Sequence, residues 1–261
     1  MPKGGVARRA TIINQVRSAS NEAILVLDAG NTLFGQRLAN ETEGRIIVEA
    51  MNAMGYDAVA VGQLDLSRGI EVLLQRASEA QFPLLSCNIV WSQDGDPVFA
   101  PYAVVERDGT RFGILGVSEL EVMSMLEVGG AVEVIEPVVG VRKYLPEVRA
   151  RSDVVILLSR LGLEADQELA RTVDGIDVIV GGRSRILLTA PVLIDATVIV
   201  QAGYDGEWLG RLDVSFSAQE QAIDPQVTIT TLGPEVPDEP VLAALMASYK
   251  QRFPAPTPAS D

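Results

Sequence analysis

Histidine does not occur anywhere in the 261 residues. Its absence removes the commonest general base, the commonest transition-metal ligand and the nucleophilic triads built on an imidazole. Cysteine is almost as scarce. Cys87 is the only thiol, so no intrachain disulfide can form, and its apolar setting in LLSCNIV reads as a buried side chain. No apolar run reaches the roughly 18 residues of a membrane span. The basic opening MPKGGVARRA has no apolar stretch behind it to act as a signal peptide. The chain as written is therefore expected to be cytoplasmic and not inserted in a membrane; a start further upstream would change that expectation to periplasmic or extracellular. Positive charge is also in deficit, with 21 Lys and Arg against 35 Asp and Glu and a net charge of -14. Such a balance opposes nucleic acid and anionic membrane as partners.

What remains is an ordinary globular composition, 48% hydrophobic and 21% charged, with short β-rich runs alternating with amphipathic stretches. ARRATIINQVRSAS, TEGRIIVEAMNAMG and GIEVLLQRASEA have helical spacing. AILVLDAG, DAVAVG, FPLLSCNIV, DVVILLS and DVIVGG read as strands. YAVVERDGTRFGILGV is two alternating runs around Asp108-Gly109, the strongest hairpin signal in the chain. A helix begins at Pro137 and is expected to run through an internal proline, and a further helix covers Glu164 to Val173. From Pro191 to Leu232 the pattern is strands. The reading is an α/β domain over residues 1–234, followed over 235–261 by a short helix and a tail too polar and Pro-rich to fold.

Four strands end in small or polar residues: LDAGNT, AVGQLD, LLSRLG and IVGGRSR. Ligand sites of open α/β sheets lie beyond such carboxyl ends, so these loops are candidates to converge. Other features carry less. GGVARR and VGG lack the Gly-Lys-Ser/Thr of a phosphate-binding P-loop, Trp91 and Trp208 are expected to pack, and the sequon NET at 40–42 is a chance match. Nothing in the spacing brings Asp65 and Glu119 together as an acid–base pair.

Seven ordered segments, from GGVARRATIINQVR through AILVLDAGNTLFG, EAMNAMGYDAVAVGQLDL, FPLLSCNIV, DVVILLSRLGL and GIDVIVGGRSR to IVQAGYDGEWLGRLDV, resemble the calcineurin-like metallophosphoesterases. More narrowly, they resemble the N-terminal domain of the 5′-nucleotidase and UDP-sugar hydrolase family. The resemblance implies a four-layered α/β/β/α sandwich. It also implies two divalent metals, held by an aspartate-x-histidine pair and by GDT, GNHE, SHLG and GGHSH loops, that activate water against a phosphate. Each of those positions departs here. The GDT aspartate is Asn31; GNHE has become Gln63, Leu64 and, in place of its acidic residue, Asp65; the SHLG histidine is Arg160; the GGHSH histidines are Arg183 and Arg185. No segment matches the aspartate-x-histidine strand, and three explanations stand open: the true start lies upstream, a protein partner or a second copy supplies the strand, or the sheet has closed around the loss.

Arginine essentially never loses its proton and cannot ligate a metal. The expectation is a catalytically degenerate relative with no metal cofactor and a binding or structural role as an accessory subunit; the alternative is an active two-metal phosphoesterase. Two readings of the site are open. In one, Arg160, Arg183 and Arg185, aided by Asn31 and Gln63, hold a phosphate-containing small molecule through bidentate hydrogen bonds. In the other, the arginines pair with Asp65, Asp28 or other carboxylates and fill the former metal cavity as an ionic network.

Overall fold

In a computed structural model, residues 3–126, 130–216 and 222–255 are described. Helix α1 (Val6–Ala19) leads into three short parallel strands, β1 (Leu27–Asp28), β2 (Ala58–Ala60) and β3 (Leu84–Leu85). Between them come α2 (Arg37–Glu41), α3 (Arg45–Met54) and α4 (Ile70–Glu79). Next are β4 (Ile89–Trp91), β5 (Tyr102–Arg107), β6 (Thr110–Val117) and β7 (Val132–Val134), which pairs back onto β4. Helix α5 (Pro137–Arg151), β8 (Val154–Ser159), α6 (Leu163–Thr172) and β9 (Val178–Gly181) alternate. The chain finishes with β10 (Val192–Ile194), β11 (Thr197–Val200), the antiparallel pair β12 (Trp208–Phe216) and β13 (Ala222–Thr231), and α7 (Pro240–Arg252).

Side-chain alternation along the strands generates the layers. In β8, Val154, Ile156 and Leu158 face one way and Val155 and Leu157 the other, and all are buried. The first set meets Ala58, Ala60 and Leu85 of the small sheet β1-β2-β3; the second meets Val141, Leu145 and Val148 of α5. The alternate residues of β2 and its exit, Val59 and Val61, point away from the large sheet onto α1, α3 and α4. Three apolar interfaces thus join four layers: helices α1, α3 and α4, the small sheet, the sheet ordered β10-β11-β9-β8-β6-β5, and helices α5 and α6. At about 2 kcal/mol for each fully buried aliphatic side chain, these interfaces dominate the stability.

Local chemistry agrees with the pattern. Asp108 and Gly109 both take positive φ, 49° and 79°, as a two-residue hairpin turn with the twist of its strands requires. Helix α5 continues through Pro146, which is exposed, so the hydrogen bond it removes lies on the wet face. The five-residue α2 has no counterpart in the sequence reading. The C-terminal helix α7 packs on the domain: Leu242 joins the α1–α3 cluster and Tyr249 packs with Leu38 and Ile46. Residues 256–261 of the expected tail lie outside the described part. Asn40 and Thr42 of the sequon are engaged within the fold, Asn40 Oδ1 by the Gly35 amide and Thr42 by burial beneath α2.

Candidate functional site

Parallel pairing within each sheet sends the loops after β1, β2, β6, β8 and β9 to one end. The loop after β1 is shaped by Asn31, at φ 60°. Its turn aims three successive amides, those of Asn31, Thr32 and Leu33, at the Asp65 carboxylate, 2.8, 2.9 and 3.0 Å away. The Gly62 amide adds a fourth bond at 3.0 Å. Burial raises the Asp65 pKa while these hydrogen bonds oppose the rise. Asn31 Oδ1 accepts from the Leu64 amide at 2.8 Å, binding the two loops together. Asp28 Oδ1 is occupied by the Gly30 amide and the Thr32 hydroxyl.

Arg160 leaves the end of β8 and lies across this junction, its side chain 8% exposed. Three glycines make room for it: a Cβ on Gly30, Gly62 or Gly182 would stand 3.1, 3.0 or 2.5 Å from Arg160 Cδ, Nε or Nη1. The guanidinium is 3.6 Å from Glu119, whose side chain is 2% exposed. Glu119 Oε1 also accepts from the Gln63 amide at 3.2 Å, so Asp65 and Glu119 do meet at one turn, each on its own amide. Gln63 itself donates to Ser124, and Leu64 is exposed.

The other two arginines do not converge with the first. Arg183 and Arg185 have side chains 42% and 61% exposed and go to separate carboxylates, Glu121 and Asp205. Arg183 also donates to the Leu161 carbonyl, and Arg185 lies 4.2 Å above the Tyr204 ring. Both have positive φ, 66° and 57°. For arginine this conformation costs about 1 kcal/mol or more, and strain of this kind gathers where a fold holds side chains for a purpose.

The expected carboxylate pairing named Asp65, Asp28 or other carboxylates. The partners are of the last kind, Glu119, Glu121 and Asp205, because backbone amides saturate Asp65 and the charge nearest Asp28 is Arg9, 3.9 Å away on α1. Arg9, which also donates to Tyr56, sits in none of the four loops and had no sequence signal.

Two divalent cations do not suit this donor set. Among the described residues no three Asp, Glu, Cys or His side chains gather as a ligand group. Asp65 is spent on amides, and a guanidinium stands among the glycines. The hollows at Thr11, Asn14, Pro237 and Asp238 and beside Trp91 lie away from this junction. Cys87 offers no reactivity either, since burial pushes its thiol up to about 12.

No family model matches the chain. A snake venom 5′-nucleotidase of Gloydius brevicauda is 30% identical over 84% of this chain and 41% of its own length. Among solved structures, a 5′-nucleotidase precursor from Thermus thermophilus is 29% identical with a TM-score of 0.89, covering 97% of this chain and 54% of that one. The calcineurin-like phosphoesterase YfkN of Bacillus subtilis shares the fold with a TM-score of 0.84 at 22% identity, over 97% of this chain and 90% of that one. The chain spans about half the length, or less, of the curated relatives it matches.

Proposed function

Because the chain belongs to the 5′-nucleotidase group of the calcineurin-like phosphoesterases, we propose that it is a member whose hydrolytic centre has been replaced by an ionic plug. The role left to it is binding or structural, that of an accessory subunit. One observation carries this reading: Arg160, buried among Gly30, Gly62 and Gly182 and paired with Glu119, takes up the junction of the loops. A permanently protonated group there repels a divalent cation and cannot replace an imidazole as ligand.

A second reading concerns the rim. Arg183 and Arg185 are exposed, held in strained backbone, and paired with surface carboxylates that an anion can displace. A phosphate-bearing small molecule is the ligand such forks suit. Saturable phosphate affinity that falls with salt and is lost in Arg183→Ala or Arg185→Ala would establish it; unchanged affinity in both variants would dismiss it.

The test of the main reading is elemental analysis after incubation with manganese, zinc, magnesium and calcium, with hydrolysis of a nitrophenyl phosphate and a nucleoside monophosphate assayed on the same samples. Background metal and no turnover are expected. Retention of about two equivalents per chain with phosphate release would restore two-metal hydrolysis and overturn the plug.

A further inference from the structure

Beneath the Arg183–Arg185 turn, the ends of β8, β9 and β11 and the side of α6 enclose a buried cluster with no part in the plug. The Ser159 hydroxyl donates to Asp166 Oδ1 and accepts from the Leu161 amide at 3.1 Å. The Ser184 hydroxyl donates to Gln201 Oε1 at 2.8 Å and accepts from the Leu163 amide at 3.3 Å. Asp166 is fully buried and Gln201 is 3% exposed. Two atoms here are buried without a hydrogen-bond partner, the acceptor Asp166 Oδ2 and the donor Gln201 Nε2. Both side chains border one bare spot: a Cβ on Gly181 would stand 2.7 Å from Asp166 Oδ2 and 3.4 Å from Gln201 Oε1.

We propose that this cluster is a proton-operated latch, in which rotation of the Gln201 amide relays the protonation state of Asp166 to Ser184 and so to the arginine turn. A proton taken from solvent onto Asp166 Oδ2 turns that atom into a donor, and Gln201 Oε1, which borders the same spot at Gly181, has a second lone pair to receive it while still accepting from Ser184. When the proton returns to solvent, the two oxygens bordering Gly181 are both acceptors, Gln201 Nε2 is a donor without a partner, and the amide turns over. Its two N–H groups then serve Asp166 Oδ2 and Ser184 Oγ, and the Ser184 hydroxyl hydrogen must find another acceptor. Ser184 lies between the two residues of positive φ, so a change in its anchoring is felt by the strained backbone on both sides.

The surroundings make Asp166 the group that titrates. Strands β9, β10 and β11 pack against α6 and carry no titratable side chain. On α6 itself Glu164 and Glu168 are exposed. Arg160 is the charge whose field reaches Asp166, and it favours the ionised form. Burial outweighs it and the Ser159 hydrogen bond, lifting Asp166 to about 7. Arg183 and Arg185 above are exposed on their own carboxylates.

The experiment is an NMR titration of the isotope-labelled full chain from acid to mildly alkaline pH. It follows the Asp166 carboxyl carbon, the Gln201 side-chain amide, and the backbone amides of Arg183, Ser184 and Arg185. One shared midpoint near neutrality is expected for all of them. Gln201→Met should leave Asp166 titrating while the turn falls silent, and Asp166→Asn should silence every probe. Turn amides that move undiminished in Gln201→Met, or an Asp166 that ionises in the ordinary carboxylate range, would overturn the latch. Should Gln201→Met not fold, the wild-type Gln201 amide decides alone: a signal that ignores the ionisation of Asp166 ends the proposal. Hydrolysis does not enter any of these readouts, so the latch and the plug stand or fall separately.

Discussion

Arg160 and Glu119 form a pair almost closed off from water, with Arg160 Nε and Glu119 Oε2 both lacking a partner. An ion pair this imperfect is weak evidence for stability, but breaking it strands a charge. Arg160→Ala should therefore lower the unfolding free energy by about 3–5 kcal/mol, measured in urea, while Arg160→Met combined with Glu119→Gln should recover most of it. A loss under roughly 1 kcal/mol in the single variant would mean that water, not Arg160, solvates Glu119. Asp166 gives a second residue-level prediction, with a definite sign. Its folded pKa of about 7 lies above the ordinary 3.8, so between those values the native state holds a proton the unfolded chain has lost. Stability then falls as pH rises through that window, by at most on the order of 4 kcal/mol, and Asp166→Asn should flatten the slope in denaturation curves taken from pH 4 to 8. Sequence reading located Asn31, Gln63, Asp65, Arg160, Arg183 and Arg185 in loops at one end of the sheets, because strand ends are visible in hydrophobic pattern. It could not see the partners. Glu119, Glu121, Asp205 and Arg9 come from segments distant in sequence, and nothing in LDAGNT announces that three amides will consume Asp65.

At the scale of elements, the approach of the two sheets depends on a strand residue with no side chain. Gly116 of β6 lies against β3, where an added Cβ would stand 2.3 Å from the Leu85 carbonyl oxygen and 2.5 Å from Leu85 Cβ. Backbone on that side cannot give way as a flexible side chain would, because the Cys87 amide donates to the Gly116 carbonyl at 2.8 Å and fixes the strands together. Gly116→Ala should thus cost about 2 kcal/mol or more and broaden signals from Leu85, Ser86 and Cys87. Gly109→Ala, in a turn with open space around it, is the control, losing about 1 kcal/mol from its φ of 79° alone. Equal losses would show that the sheets have room to part. The hairpin was legible because Asp-Gly between alternating runs has one economical conformation. Helix α2 was not, since five residues carry too little periodicity. Contact between β3 and β6 was equally hidden, being set by how the layers stack rather than by either strand's own pattern.

For the whole molecule, four layers follow from strands buried on both faces, and here periodicity and the family resemblance agree with the structure. The sheets are not equally finished. Along the interface between them, Ala58, Ala60, Leu85, Ile114 and Leu158 are sealed, whereas Leu25, Leu27, Val180, Val200, Leu212 and Phe216 are only partly buried. The exposed side is that of β1, which pairs with β2 and with no other described strand. Since the Val59 and Val61 amides serve the Pro83 and Leu85 carbonyls, Ala58 and Ala60 turn toward β1, and alternation leaves the main chain of Leu27 facing outward. Such an edge, flanked by apolar side chains, presents unpaired main-chain groups to whatever lies beside it. Native-state hydrogen exchange tests the geometry. The Leu27 amide should exchange at least tenfold faster than those of Val59 and Val61 in the isolated chain, and Leu27→Pro should fold with little loss, because the ring removes an N–H that points away from β2 and has no acceptor among the described residues. Protection of Leu27 equal to that of Val59 would mean the edge is already closed, by self-association if the protection falls on dilution. A fold lost to proline would mean that the Leu27 amide serves β2 after all.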